Sequence, residues 1–360
     1  MFGDILIDKF NCYLQLPADC KKEAEELKLH IENVLGKHYA NNAYKVTISN
    51  RYHRLSFWFT PTRYFRTIED MKRYTDTNLA MPAEADLKEF FDELLNNSIF
   101  NKYLPKFKIT KLDLTKNFLV KEPVNQYITM LQKRLYNGRF RSLLHTSGRK
   151  KDTLSITTLA NNHKKKDKVG DRELIIYDKV KELKRHKIRN VDLKEPLTNE
   201  EASQITPAFY SRDNGTLYIK YLNIIRLEWQ YGSSNKLSDF SKHAGFANAE
   251  KGLFLKDFLS LLNKGELYSV LDDYYTEMFM DVAVNRQGYD KNLRIYKKII
   301  RDYWDEVMDL PLVNAFKANG LWQEYRLDKF KMQALIENPL FEELKNKILH
   351  SNNSQRHLIK

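Results

Sequence analysis

Lys111-Leu112-Asp113-Leu114-Thr115 is the first of three short stretches that decide the expected fold; the others are Ile175-Ile176-Tyr177-Asp178-Lys179 and Arg226-Leu227-Glu228-Trp229. Apolar and polar side chains alternate in each stretch, which is the period of a β-strand with one face in a core. Neighbouring side chains of a strand point to opposite faces, so Asp113 and Glu228 face away from their apolar neighbours. The three stretches therefore predict a sheet with carboxylates and a phenol on its polar face.

The rest of the chain extends this prediction into three regions. Residues 1–105 are expected to form an α+β half, with strands at Asp4–Leu16, Tyr44–Ile48 and Leu55–Phe59 and helices at Lys21–Leu35 and Ala83–Leu95. Residues 106–235 are expected to form a second α+β half, with strands around Asp113 and at Thr153–Leu159, Glu173–Asp178 and Leu217–Gln230, and helices at Val124–Leu135 and Lys179–Lys187. Residues 236–360 carry apolar stripes at helical spacing, at Leu253–Leu262, Leu267–Met280, Leu293–Met308 and Phe330–Leu349.

The predicted fold class is therefore α+β, with antiparallel sheets, packed helices and a helical C-terminal region. Both halves share the order strand, helix, hairpin and helix, which suggests a duplicated module.

Composition and charge narrow the class of partner. The chain has 60 Lys and Arg against 47 Asp and Glu, a net charge of +13. Such a balance favours a polyanion, because each neutralised phosphate releases a condensed counterion, although a merely solvated basic surface or contact with an acidic membrane remains an alternative. Cys12 and Cys20 are the two cysteines, too few for a disulfide framework or a zinc cluster. No signal-like or membrane-spanning run occurs, so we expect a protein of the reducing cytoplasm without a membrane partner.

Asp113 and Glu228 are the candidate metal ligands. A carboxylate between apolar neighbours on a central strand is costly unless it is paired or binds a cation. Two such acids on neighbouring strands would suit Mg²⁺ or Mn²⁺, which prefer carboxylate oxygens. The alternative is that each acid pairs with a nearby Lys or Arg at the surface.

Tyr177 is the candidate nucleophile. It stands where a strand meets a basic helix that begins near Lys179, so its hydroxyl can approach a phosphate held by the lysines of that helix. The alternative is that Tyr177 packs in the fold and Asp178 caps the helix.

Three basic runs surround the strands near Tyr177 and would focus positive potential on one patch, if they are more than a solvated face. Together with Arg226 on the third stretch, the candidate DNA-binding residues are Lys150, Lys151, Lys164, Lys165, Lys166, Lys184, Arg185 and Arg226. A phosphate-cradling Gly-rich loop is absent from the sequence, which argues against an ATP-driven motor.

The three stretches resemble the replication initiators of filamentous phages, of the gene II and gene X type, and more distantly the rolling-circle initiators of small staphylococcal plasmids. The resemblance rests on Lys111-Leu112-Asp113-Leu114, on Ile176-Tyr177-Asp178-Lys179 followed by Glu182-Leu183, and on Ile225-Arg226-Leu227-Glu228. It covers residues 106–240.

This resemblance implies an origin-specific nickase that starts rolling-circle replication of phage or plasmid DNA in a bacterial host. Tyr177 would form a 5′-phosphotyrosyl intermediate, Asp113 and Glu228 would hold the divalent metal, and Lys179 and Glu182 would contribute a phosphate contact and a further metal ligand. A host helicase and polymerase would then be partners. Two other functions remain open from the residues: a non-catalytic, sequence-specific DNA-binding factor, and a metal nuclease that uses water.

Overall fold

A computed structural model describes residues 3–17, 19–49, 51, 53–65, 81–133, 140–145, 152–159, 169–185, 210–213, 216–219, 223–231, 237–284 and 338–356 of the chain. The strands in these ranges are β1 Leu6–Gln15, β2 Tyr44–Ser49, β3 Arg54–Phe59, β4 Lys108–Leu119, β5 Phe140–His145, β6 Thr153–Leu159, β7 Val169–Asp178, β8 Tyr210–Asp213, β9 Thr216–Ile219, β10 Ile224–Tyr231 and β11 Leu253–Phe254. The α-helices are α1 Lys21–His38, α2 Glu84–Leu95, α3 Ser98–Tyr103, α4 Val124–Lys133, α5 Lys179–Arg185, α6 Leu237–His243, α7 Leu255–Lys264, α8 Leu267–Val284 and α9 Pro339–Arg356.

One antiparallel sheet of nine strands organises the described part of the chain. Its order is β2-β3-β1-β4-β10-β7-β6-β5, and the short β11 pairs with β4. The central pair β1 and β4 joins the two sequence halves in one sheet, so the sheet crosses the boundary at residues 105 and 106. The α+β class with an antiparallel sheet is confirmed.

The sheet has one apolar face, on which helices pack. Helix α1 presents Leu27, Ile31 and Leu35 at helical spacing, and all three are buried. The ring of Phe10 on β1 lies 5.0 Å from Phe59 on β3 and 5.3 Å from Phe258 on α7. Because a buried phenylalanine stabilises a fold by about 2–3 kcal/mol, this aromatic cluster fixes which face of the sheet turns inward.

The helices of the C-terminal region complete the same core. Tyr275 of α8 donates a hydrogen bond to the carbonyl of Leu227 on β10 at 3.0 Å, and both residues are buried. Helix α9 packs against α4 and α8. Within the described ranges, no helix combines the length and the apolar character that crossing a lipid bilayer requires.

The structure corrects one predicted strand and adds strands that the sequence did not indicate. The long strand predicted at Leu217–Gln230 is two elements, because β9 pairs with β8 in a separate two-stranded sheet and β10 alone joins the main sheet. The edge strand β5 and the two-residue strand β11 were not predicted. The predicted helix Leu293–Met308 lies outside the described residues.

The order strand, helix and hairpin does recur in β1-α1-β2-β3 and in β4-α4-β5-β6. The strand pairing differs, since β1 pairs directly with β3 whereas β4 pairs with the late strand β10.

Candidate active site on the polar face of the sheet

A cluster of charged and polar side chains lies on the polar face of the sheet, on β4, β10 and β7. Arg226 of β10 pairs with Asn117 of β4 on one side and with Tyr177 of β7 on the other. Glu228, two residues further along β10, pairs with Thr115 of β4. Since residues two apart on a strand share a face, these side chains form one cluster, as the alternation in the sequence predicts.

Tyr177 and Glu228 contact each other at the centre of this cluster. The Tyr177 hydroxyl donates to Oε2 of Glu228 at 3.5 Å, a long hydrogen bond. Glu228 is buried, and Tyr177 is half-buried. Burial raises the pKa of Tyr177 well above its usual value, and the Arg226 cation opposes that rise. The hydroxyl is therefore a neutral donor at rest.

Glu228 is a carboxyl with a raised affinity for protons. Burial raises its pKa above the usual value, the nearby Asp8 raises it further, and Arg226 lowers it. The amide of Gln230 donates to its other oxygen, Oε1. Glu228 is thus oriented by two donors, one of which is the phenol.

Asp113 lies diagonally across the β4–β10 ladder from Glu228, because Thr115 is the direct partner of Glu228. Diagonal neighbours are about 7–8 Å apart along the backbone, so two carboxylates can reach a common cation from these positions. Asp113 is 2% exposed, and Nζ of Lys111 lies 2.9 Å from its Oδ2. Burial raises the pKa of Asp113 to about 7; Lys111 opposes the shift and Glu228 adds to it.

Arg226 is held by a residue that the sequence analysis missed. Its Nη2 donates to Oδ1 of Asp8 on β1 at 2.6 Å, and its guanidinium lies 6.0 Å from the ring centre of Tyr177. Burial alone would lower the pKa of Arg226, but Tyr177, Asp8 and Glu228 raise it, so the cation is permanent. Arg226, predicted as a DNA-binding residue, is 1% exposed and lies inside the cluster.

Lys179 and Glu182 flank the cluster from the first turn of α5. Nζ of Lys179 donates to Oε2 of Glu182 at 2.6 Å. Burial lowers the pKa of Lys179 to about 8, with a further lowering from Arg226 that Glu182 opposes. Asp178 accepts from the backbone N–H of Lys181 at 3.0 Å and so caps the helix.

A row of buried polar atoms on β4 lacks hydrogen-bond partners among the described residues. It comprises Oδ1 of Asp113, Oγ1 of Thr115 and both amide atoms of Asn117. Buried polar atoms without partners are rare in stable folds, and an ion or ordered water is a frequent reason for them.

The donor set fits a hard divalent cation. Asp113 and Glu228 offer carboxylates, and the row on β4 offers further oxygens beside them. The described residues contain no group of three His, Cys, Asp or Glu side chains that would form a ligand set by itself. Two carboxylates suit Mg²⁺, which keeps several waters when it binds to proteins.

A second hydrogen-bonded chain runs along the same face toward β5. Ser155 of β6 donates to Glu173 of β7, and Nε2 of His145 lies 2.8 Å from the Ser155 hydroxyl. Glu173 pairs in the ladder with Gln230, the amide that donates to Glu228. The polar face is thus continuous from the central cluster to the edge of the sheet.

Of the remaining predicted DNA-binding residues, two fall in an element that the structure describes. Lys184 and Arg185 lie in the last turn of α5. Lys150, Lys151, Lys164, Lys165 and Lys166 lie outside the described residues.

No protein-family model, no curated protein and no solved structure matches this chain.

Proposed function

We propose that the protein is a metal-dependent DNA nicking and strand-transfer enzyme that initiates rolling-circle replication of phage or plasmid DNA. The observation that carries the proposal is the contact between the Tyr177 hydroxyl and Glu228, with the Arg226 cation beside the same ring. A nucleophilic hydroxyl next to a carboxylate base and a fixed cation is the arrangement that phosphodiester transesterification requires. The net charge of +13 suits a DNA substrate.

Tyr177 is the group that attacks. Its oxygen forms a bond to the phosphorus of the scissile phosphodiester, and the bond from phosphorus to the 3′ oxygen breaks. Glu228, whose Oε2 already accepts the hydrogen bond of the hydroxyl, takes the phenol proton. The product is a 5′-phosphotyrosyl protein and a free 3′ hydroxyl that a host polymerase extends while a host helicase opens the duplex.

The leaving 3′ oxygen needs a proton, and Lys179 is the candidate donor. Its pKa of about 8 lets it give up a proton near neutral pH. Arg226 stays charged throughout and stabilises the negative charge that develops on the phosphate. Asp113 and Glu228 would hold Mg²⁺ or Mn²⁺, which when bound would stabilise that same charge.

Nicking of supercoiled DNA that carries the replication origin tests this proposal. We expect the wild-type protein with Mg²⁺ to relax the plasmid and to become linked to DNA, and Tyr177→Phe to do neither. Tyr44→Phe on the distant edge strand β2 is the matched control and should nick normally. If Tyr177→Phe nicks at the wild-type rate without a protein–DNA adduct, the enzyme is a metal nuclease that uses water. If the wild type binds origin DNA and never nicks it, the protein is a non-catalytic DNA-binding factor.

A further inference from the structure

The polar face of the sheet continues from the candidate active site onto the N-terminal strands. In the ladders there, Lys45 of β2 pairs with Trp58 of β3, Trp58 pairs with Asn11 of β1, and Asn11 pairs with Lys111 of β4. Side chains of paired residues lie on the same face, so this row crosses four strands on the side opposite the core. We call this surface the N-terminal platform and define it by Lys9, Tyr13, Lys45, Arg54, Trp58 and Lys111.

Cations and aromatic rings alternate on the N-terminal platform. Nζ of Lys9 lies 4.9 Å from the ring centre of Trp58, and the guanidinium of Arg54 lies 3.8 Å from that of Tyr13. Lys45 is exposed, and the two rings are half-buried. Apolar and aromatic residues of the same strands, such as Phe57, face the core instead. Each ring on the polar face is therefore partly exposed and has a cation beside it, a combination that suits a ligand with both aromatic faces and negative charge.

The charge of this surface has one sign. The described residues that share its face on β2 and β3 are neutral or basic: Lys45, Thr47, Ser49, Arg54, Ser56 and Trp58. Carboxylates enter where the platform meets the candidate active site: Asp113 pairs with Lys111, and Asp8 of β1 pairs with Arg226. Such a surface attracts a negatively charged polymer and repels a positively charged one.

We propose that the N-terminal platform binds single-stranded DNA beside the cleavage site, with bases stacked on Trp58, Tyr13 and Arg54 and phosphates held by the lysines. This inference rests on the proposed function for the identity of the strand. A single strand offers the π-faces of its bases, which aromatic rings and guanidinium planes stack against, whereas a duplex hides them. The occupant is the segment of the nicked strand next to the bond that Tyr177 attacks.

The ladder connects the platform directly to the candidate site. Lys9 is the β1 partner of Asp113. From β2 to β4 there are three strand spacings, about 14 Å in all. That distance accommodates roughly four nucleotides at the stacked rise of about 3.4 Å.

Fluorescence anisotropy with a labelled 12-nucleotide thymidine oligomer tests the proposal. The protein carries Tyr177→Phe and the buffer contains EDTA, so binding is measured without cleavage. We expect Trp58→Ala to weaken Kd by about tenfold or more, the size of one lost base stack, and Trp58→Phe to stay within threefold of the parent. Lys22→Ala, on the exposed surface of α1, is the control and should leave Kd unchanged.

Charge is tested separately, because Trp58→Ala can also disturb β3. The double variant Lys45→Ala with Arg54→Ala removes two cations, so the slope of log K against log salt should become shallower by about 1.4 for a single strand. A 12-base-pair duplex should compete at least tenfold less well than the single strand, and a 12-nucleotide uridine oligomer tells whether the platform distinguishes DNA from RNA.

The proposal is overturned if the parent protein does not bind the oligomer, if Trp58→Ala and the double variant bind like the parent, or if the duplex competes equally. None of these results would bear on the proposed nicking activity, because the nicking assay tests Tyr177. Conversely, the wild type could fail to nick while Trp58→Ala weakens oligomer binding relative to its parent. That result would support the platform and contradict the proposed enzymatic function.

Discussion

Arg226 of β10 binds Asp8 of β1 across the polar face of the sheet, with Nη2 2.6 Å from Oδ1, although 218 residues separate them in the chain. Arg226 is 1% exposed, whereas the Asp8 side chain is 21% exposed. The pair links the first strand of the N-terminal half to the strand that carries Glu228. The pair holds the Arg226 cation beside the Tyr177 ring. The same ion pair therefore both stabilises the sheet and positions a charged group of the candidate site.

Removal of Asp8 should destabilise the fold. Asp8→Ala removes the carboxylate that lies 2.6 Å from a buried cation, which should cost about 3 kcal/mol in the free energy of unfolding. Asp92→Ala, which removes an exposed ion pair with Lys88 on α2, should cost less than about 1 kcal/mol. Urea unfolding of both variants measures the difference. Equal, small losses would show that the pair of Asp8 and Arg226 is no more than a surface contact.

Glu228→Gln should abolish cleavage and spare binding. The amide keeps the size of the side chain but neither accepts the phenol proton readily nor holds a metal, so nicking should fall at least a hundredfold. Binding of origin DNA should stay within severalfold. Glu250→Gln, at a side chain that is 82% exposed, serves as the control. A parallel loss of binding and nicking in Glu228→Gln, with a lowered melting temperature, would assign Glu228 to folding alone.

Mg²⁺ should stabilise the protein through Asp113. A ligand that binds only the folded state raises the melting temperature, so millimolar Mg²⁺ should raise Tm by a few degrees in the wild type. Asp113→Asn removes one of the two carboxylates and should remove this shift. Differential scanning calorimetry with Ca²⁺-free buffers measures it. A shift of the same size in Asp113→Asn would place the ion elsewhere.

The free energy of unfolding should fall as pH rises through the range in which Asp113 titrates. Its pKa is about 7 in the folded protein, while an unfolded aspartate titrates near 3.9, so between these values the folded state binds more protons. The loss should approach about 1.4 kcal/mol per pH unit between roughly pH 4 and 7 in the absence of metal. Asp113→Asn lacks this contribution, so its stability curve should diverge upward from that of the wild type with rising pH. Parallel curves would mean that the carboxyl of Asp113 is ionised throughout.

Lys179 should set the alkaline limit of nicking. With a pKa of about 8, it is protonated below that pH and neutral above it, so the nicking rate should decline above about pH 8. Lys179→Arg stays charged and should give a lower rate that is flat over the same range. An unchanged alkaline decline in Lys179→Arg would exclude Lys179 as the proton donor. Lys181→Arg, two residues further along the same helix, is the control.

Much of the sheet could be predicted because its strands alternate cleanly. Leu112 and Leu114 enter the core, which places Asp113 on the opposite face, and the same logic places Glu228. The helices α1 and α2 follow from apolar residues at helical spacing and begin within one residue of the predicted positions. Local patterns of this kind need no knowledge of the tertiary fold.

Asp8 could not be found in the same way. The ladder between β1 and β4 shifts register between Ile7 and Lys9, so Asp8 is a bulged residue whose direction does not follow from alternation. The signal available was the one acid in a strand whose other polar residues are Lys9, Asn11 and Gln15. Arg226 likewise looked like a surface cation, because only the long-range pairing of β10 with β4 and β7 buries it.

Whether Tyr177 becomes linked to DNA is the most direct test of the proposed function. Wild-type protein is incubated with Mg²⁺ and a single-stranded origin oligonucleotide, digested with protease and nuclease, and analysed by mass spectrometry for nucleotide-modified peptides. We expect one modified tyrosine, Tyr177, joined to a 5′ phosphate, and none in Tyr177→Phe. Modification of a different tyrosine, or cleavage of the oligonucleotide with no modified peptide, would contradict it.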